Sequence, residues 1–191
     1  GQILTLPLSG DVQLTNAAVG LAVVETLQQQ GWQIPDAAVE KGFAITRWPG
    51  RLQRVQLGCR QLLMDGAHNL PAAQALRRYL DKHQPGSLAW YVGILSTKDV
   101  KGILSTLLRP GDSFFALPIA GHLGTDPEQL AQLAQTLQPH LASAQALPDL
   151  STFCVQMQES QAVGEPPAVV CGSLYLLGQV MRECLGWGLA R

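Results

Sequence analysis

From Leu14 to Gln30 the apolar residues Leu14, Ala17, Ala18, Leu21, Ala22 and Val24 fall at helical spacing and form one broad face, and Gly31 is placed to stop the helix. A second, shorter amphipathic turn runs from Pro35 to Gly42. Trp48-Pro49-Gly50-Arg51 then breaks the pattern, because Pro-Gly cannot continue a helix. A domain boundary is placed there, with residues 1–48 before it and 49–191 after it. Beyond the break the periodicity changes to strands alternating with helices. Val55 to Leu57 and Gln61 to Met64 read as paired strands around Gly58, and Leu70 to His83 as a helix. Ser87 to Val92 is a strand, Val100 to Leu108 a helix, Ser113 to Leu117 a strand and Asp126 to Leu137 a helix. That last helix has a clear start, with Asp126 as N-cap, Pro127 at the first helical position and Glu128 in the first turn. Leu147 to Glu159 reads as helical, Ala168 to Cys171 as a buried strand and Ser173 to Cys184 as the last helix. The alternation predicts an α/β fold, a mostly parallel sheet with helices on both faces.

Composition narrows the function classes. A formal net charge of −1 without a block of Lys or Arg weighs against nucleic acid or an anionic membrane as partner. No run approaches the roughly 18–20 apolar residues that a membrane span requires. The start, Gly1-Gln2-Ile3-Leu4-Thr5, shows no signal-peptide pattern and no initiating Met, so a trimmed or partial chain is expected. The four cysteines, Cys59, Cys154, Cys171 and Cys184, are widely spaced. They read as buried thiols in a reducing cytoplasm rather than as a disulfide or zinc site.

In an open parallel sheet, ligands bind in the crevice beyond the carboxyl ends of the strands. Three strand-to-helix junctions there carry candidate chemistry. In Met64-Asp65-Gly66-Ala67-His68-Asn69 a strand delivers Asp65 to its end, where a carboxylate suits the two hydroxyls of a ribose. Gly66 lets the backbone approach a ligand, and His68 and Asn69 open a helix whose amides favour anions. In Gly93 to Asp99 a strand again leads through Gly to Lys98, a point charge for a carboxylate or phosphate. In Cys171-Gly172-Ser173 the serine hydroxyl and adjacent amides open the last helix. Read singly, Asp65 and Asn69 are equally turn and capping residues, Lys98 a solvated lysine and Ser173 a plain helix-start residue.

Together and in this order they resemble a family. Asp65-Gly66-Ala67-His68-Asn69 resembles the D-G-A-H-N-P motif of folylpolyglutamate synthases, a branch of the Mur ligase superfamily. Leu8 to Ala18 is similar to its G-x-H-Q-x-x-N-A-A helix, and Trp48-Pro49-Gly50-Arg51 to its P-G-R. Gly93 to Asp99 resembles its G-x-x-x-x-K-D segment, and Cys171 to Gly178 its G-S-L-Y-L-x-G ending. Two positions depart: Val12 stands where the family has His, and Leu70 separates Asn69 from Pro71.

The resemblance implies a Rossmann-like Mur ligase C-terminal domain, residues 49–191, preceded by a helix and linker from the end of a central ATPase domain. It implies that Asn16 and Arg51 contact ATP, that Asp65 takes the ribose hydroxyls and that His68 lies near the transferring phosphate or the incoming amino acid. It further implies that Ser173 and Lys98 belong to the glutamate pocket. The implied reaction joins L-glutamate to tetrahydrofolate or dihydropteroate through an acyl phosphate made with ATP and magnesium. The phosphate loop and the magnesium ligands belong upstream in such a ligase, and no G-x-x-x-x-G-K-[ST] string occurs here, so this chain alone is expected to be inactive. It contributes no metal ligand in this reading. A cytoplasmic monomer is expected, with the linker before Trp48 as hinge. The rivals are a muramyl amino-acid ligase, a non-catalytic nucleotide- or amino-acid-binding module, and a metal hydrolase built on Asp65, His68 and Asn69.

Overall fold

In the computed structural model, residues 4–160 and 164–186 are described. Gly1 to Ile3, part of the stretch read above for a leader, lie outside them. The chain divides into two compact units, Gly1–Leu52 and Gln53–Arg191.

The first unit holds α1, Asp11–Gln29, and α2, Asp36–Ile45. α1 starts three residues before Leu14, because Gly10 supplies a start at φ 96° and Asp11 places a carboxylate at the positive end of the helix. No residue of α1 or α2 is fully buried and Leu14 is 63% exposed, but Ala17, Leu21, Val24 and Leu27 along one side of α1 are half-buried, as are Val39 and Phe43 of α2.

The second unit is a six-stranded sheet in the order β1-β2-β6-β3-β4-β5. β1, Gln53–Leu57, and β2, Arg60–Asp65, form the antiparallel hairpin read from the sequence. β3, Ala89–Val92, β4, Ser113–Ala116, β5, Ser143–Ala146, and β6, Ala168–Cys171, run parallel to β2. β3 and β6 are buried along their whole length, as inner strands of a sheet covered on both faces must be. The helices are α3, Leu70–His83, α4, Val100–Leu107, α5, Pro127–Leu137, α6, Leu150–Glu159, and α7, Leu174–Glu183.

One face of the sheet packs Val55, Leu62, Met64, Tyr91 and Val170 against Phe153 and Met157 of α6 and Leu176, Leu177 and Val180 of α7. The alternate residues, such as Trp90, point to the other face, where the Arg77 guanidinium of α3 lies over the Trp90 ring at 5.8 Å. The loop entering β4 is pinned by Asp112, 0% exposed, which accepts from Leu88 N at 2.8 Å, Trp90 Nε1 at 2.8 Å and Arg109 N at 2.9 Å.

Two readings need correction. Residues 143–146 form the edge strand β5, and the following helix begins at Leu150, where Asp149 accepts from Thr152 N at 2.7 Å, rather than at Leu147. The cysteines are not all buried thiols. Cys154 on α6 and Cys184 at the end of α7 form a disulfide with Cα atoms 5.4 Å apart, Cys59 is an exposed thiol and Cys171 a buried one. α6 and α7 pack side by side on one face, which brings together two cysteines 30 residues apart that no sequence spacing could pair.

Candidate functional site

Register decides which residues meet. Asp65 stands opposite Cys171, Cys171 opposite Val92 and Val92 opposite Ala116, so the strand ends form one row across β2, β6, β3 and β4. The chain leaving each of these ends carries the candidate residues.

Leaving β2, the half-buried Asp65 is followed by the buried Gly66 and Ala67 and then His68. His68 Nδ1 lies 2.8 Å from the Gly66 carbonyl oxygen. A carbonyl can only accept, so Nδ1 carries the hydrogen, and in the neutral ring Nε2 keeps its lone pair. Asn69 caps α3, its Oδ1 accepting from Ala72 N at 3.0 Å, and Pro71 sits in the first turn, where no amide donor is needed.

Leaving β6, the Cys171 thiol is pushed up, first by its complete burial and then by the charge of Asp65. It stays protonated and inert there. Gly172 has φ 103°, and a Cβ at this position would lie 2.6 Å from the Gly93 carbonyl oxygen, so only glycine fits. The turn sets Ser173, 2% exposed, as the N-cap of α7, its Oγ accepting from Tyr175 N at 3.1 Å.

Leaving β3, Lys98 is exposed and its backbone N donates to Leu95 O at 3.0 Å. Asp99 caps α4 by accepting from Gly102 N at 2.9 Å. Asn69, Asp99 and Ser173 therefore all cap helices, as the plain reading of Asn69 expected. Capping leaves the hydroxyl hydrogen of Ser173 available to donate.

The junction leaving β4 was missed. His122 stacks on Tyr175 with ring centroids 3.7 Å apart and planes 23° apart. Its sequence signal was a Gly-His-Leu-Gly stretch at a fourth strand-to-helix junction, overlooked because it carries no family motif.

The structure thus gathers Asp65, His68, Ser173 and Lys98 along one row of strand ends in the second unit. Asn16 and Arg51 lie in the first unit. Asn16 is exposed and its Nδ2 donates to Gln13 Oε1 at 3.1 Å, while Arg51 is half-buried beside Gly50, which turns the chain at φ 74°. Among the described residues no three His, Cys, Asp or Glu side chains cluster as a metal site.

Residues 51–183 match the family profile described as dihydrofolate synthetase, C-terminal domain. The chain is 31% identical over 183 residues to a probable dihydrofolate synthetase of Schizosaccharomyces pombe, covering 92% of this chain and 43% of that protein. It superimposes with TM-score 0.74 and 31% identity on Mycobacterium tuberculosis folylpolyglutamate synthase complexed with ADP and AMPPCP, covering 97% of this chain and 42% of that one. With TM-score 0.73 and 32% identity it superimposes on a bifunctional folylpolyglutamate synthase/dihydrofolate synthase from Yersinia pestis complexed with AMPPNP and a manganese ion, covering 98% and 42% of the two chains. The chain spans less than half the length of these relatives.

Proposed function

The chain belongs to the dihydrofolate synthetase C-terminal domain family, and from that membership we propose that it is the glutamate-side half of a ligase that joins L-glutamate to tetrahydrofolate, dihydropteroate or both. The observation that carries this reading is the row of strand ends that puts Asp65, Ser173 and the junction bearing Lys98 side by side. ATP with magnesium supplies the activation of the pterin substrate's carboxylate. The magnesium ligands are assigned to the part of such a ligase that this chain does not span.

This chain's own residues bind and orient. Asp65, a half-buried carboxylate at a strand end, accepts the ribose hydroxyls of the nucleotide. Asn16 and Arg51 keep, each within the first unit, the ATP-contact roles that the family resemblance assigns them, Arg51 toward phosphate. Ser173 Oγ–H and the Lys98 ammonium hold the incoming glutamate. His68 Nε2, fixed as the lone-pair nitrogen by the bond from Nδ1 to Gly66 O, takes the proton from the attacking amine.

The test is ADP release by a polypeptide in which the upstream part that the relatives carry is joined ahead of this chain, with the chain alone run beside it. Release that needs both a pterin substrate and glutamate, and is absent from the chain alone, is expected. Release dependent on a muramyl peptide instead would move the reading to cell-wall ligases. His68→Ala is expected to lower turnover by about tenfold or more, and a smaller fall would exclude the proton-transfer role.

A further inference from the structure

The junction after β4 holds an imidazole on a firmly built support, outside the residues that carry the family motifs. We propose that His122 receives one of the two carboxylates of the incoming amino acid and so sets the preference for glutamate, an inference that rests on the ligase reading above.

Glutamate reacts through its amine and arrives with both carboxylates free. A pocket selecting it needs two separate groups for anions, one close to the amine for the α-carboxylate and one farther along for the side-chain carboxylate. The strand order sets the direction. Asp65 ends β2 and His68 follows it, Ser173 follows β6, Lys98 follows β3 and His122 follows β4, and these four strands are consecutive neighbours in the sheet. An amine aimed at the Asp65–His68 end leaves the rest of the amino acid running toward β3 and β4. Lys98 offers a cation to the first carboxylate, and His122 is on the next junction along.

His122 is not on a loose loop. Ser96 donates to Leu123 O through both its backbone N at 2.9 Å and its Oγ at 3.1 Å. Gln179 Nε2 of α7 donates to Ala120 O at 2.7 Å, Thr125 N donates to Ile94 O at 2.8 Å, and Leu95 bridges Gly124. The segment around His122 is therefore tied on both sides to the junction after β3 and to α7. The Tyr175 ring supports the imidazole by its face, which leaves the ring nitrogens at the edge to meet a ligand. Tyr175 N in turn donates to Ser173 Oγ, so the stack is built onto the Ser173 turn itself. A neutral imidazole keeps one N–H donor, so binding a carboxylate requires no protonation of the ring.

The joined ligase, assayed with glutamate and with glutamine, tests this through His122→Ala and His122→Phe, the second of which keeps a stacked ring without an N–H. Both variants are expected to raise the KM for glutamate by about tenfold, with kcat within about twofold of the parent. The KM for ATP should not move, and the preference for glutamate over glutamine in kcat/KM should shrink by a similar factor. An unchanged glutamate KM in an active enzyme, or an equal rise for both amino acids, would overturn this inference and leave the ligase reading intact. A parent without glutamate-dependent ADP release would overturn both.

Discussion

α1 and α3 show apolar residues at helical spacing, yet they end differently. α1 is 19 residues long and buries none of them, whereas α3, at 14 residues, buries Ala73, Leu76, Arg77 and Leu80. The contrast extends to the units around them. In residues 4–52 the apolar side chains of both helices are at most half-buried, while the second unit closes a core on both faces of its sheet. Periodicity in a sequence specifies which face of a helix is apolar. It does not specify whether the partner for that face lies in the same stretch of chain. Helices gain most of their stability from such a partner rather than from propensity, so the two units should behave as different kinds of object.

Cutting the chain between Leu52 and Gln53 gives the largest expected effect. Residues 53–191 should keep a cooperative thermal transition by circular dichroism, whereas residues 1–52 should lose helix gradually without one. A cooperative transition in the short piece would break the comparison.

Within the intact chain, single substitutions should separate the units by magnitude. Asp112→Ala strands two buried donors, Leu88 N and Trp90 Nε1, and a part-buried one, Arg109 N, and each buried unsatisfied group costs about 1–3 kcal/mol. The expected loss, allowing for partial relaxation, is about 3–5 kcal/mol in chemical denaturation. Leu14→Ser in the first unit should change stability by no more than about 0.5 kcal/mol, as for other surface positions. A large loss for Leu14→Ser would show that α1 is covered after all.

The same contrast explains what could be read from the sequence. The hairpin, α3 and α5 were legible because caps and periodicity agree: Asp126 and Asn69 cap helices whose buried residues recur at helical spacing. β5 was not, because Ser-Ala-Gln-Ala on a sheet edge alternates polar residues with alanine only, has no β-branched or large apolar side chain, and pairs with one neighbour only. The Cys154–Cys184 disulfide depends on how α6 and α7 pack, and the His122–Tyr175 stack on residues 53 apart meeting across two junctions. Such features belong to tertiary structure. Asp65, His68, Lys98 and Ser173 were legible as a set because each follows the end of a neighbouring parallel strand, and the strand pattern predicted those ends.

A pH-dependent effect tests how closed the second unit is. Burial holds the Cys171 thiol in its neutral form, whereas the thiol in the unfolded chain ionises near its ordinary value of about 8.5. Below that pH both states carry the proton, and the contribution to stability is fully present. Above it the unfolded chain gives up its proton while the folded one keeps it, so stability falls as pH rises. The loss should reach about 1.4 kcal/mol at pH 9.5. The buried Tyr91 shifts in the same direction, but its unfolded form ionises only near about 10, so this window belongs to the thiol. Denaturation at pH 7.5, 8.5 and 9.5 should show a slope in the parent that is shallower in Cys171→Ala, and iodoacetamide should label Cys59, not Cys171, in the folded protein. If Cys171 is labelled at a rate comparable to Cys59, the sheet beneath the site opens to solvent, and the second unit is less unlike the first than its burial implies.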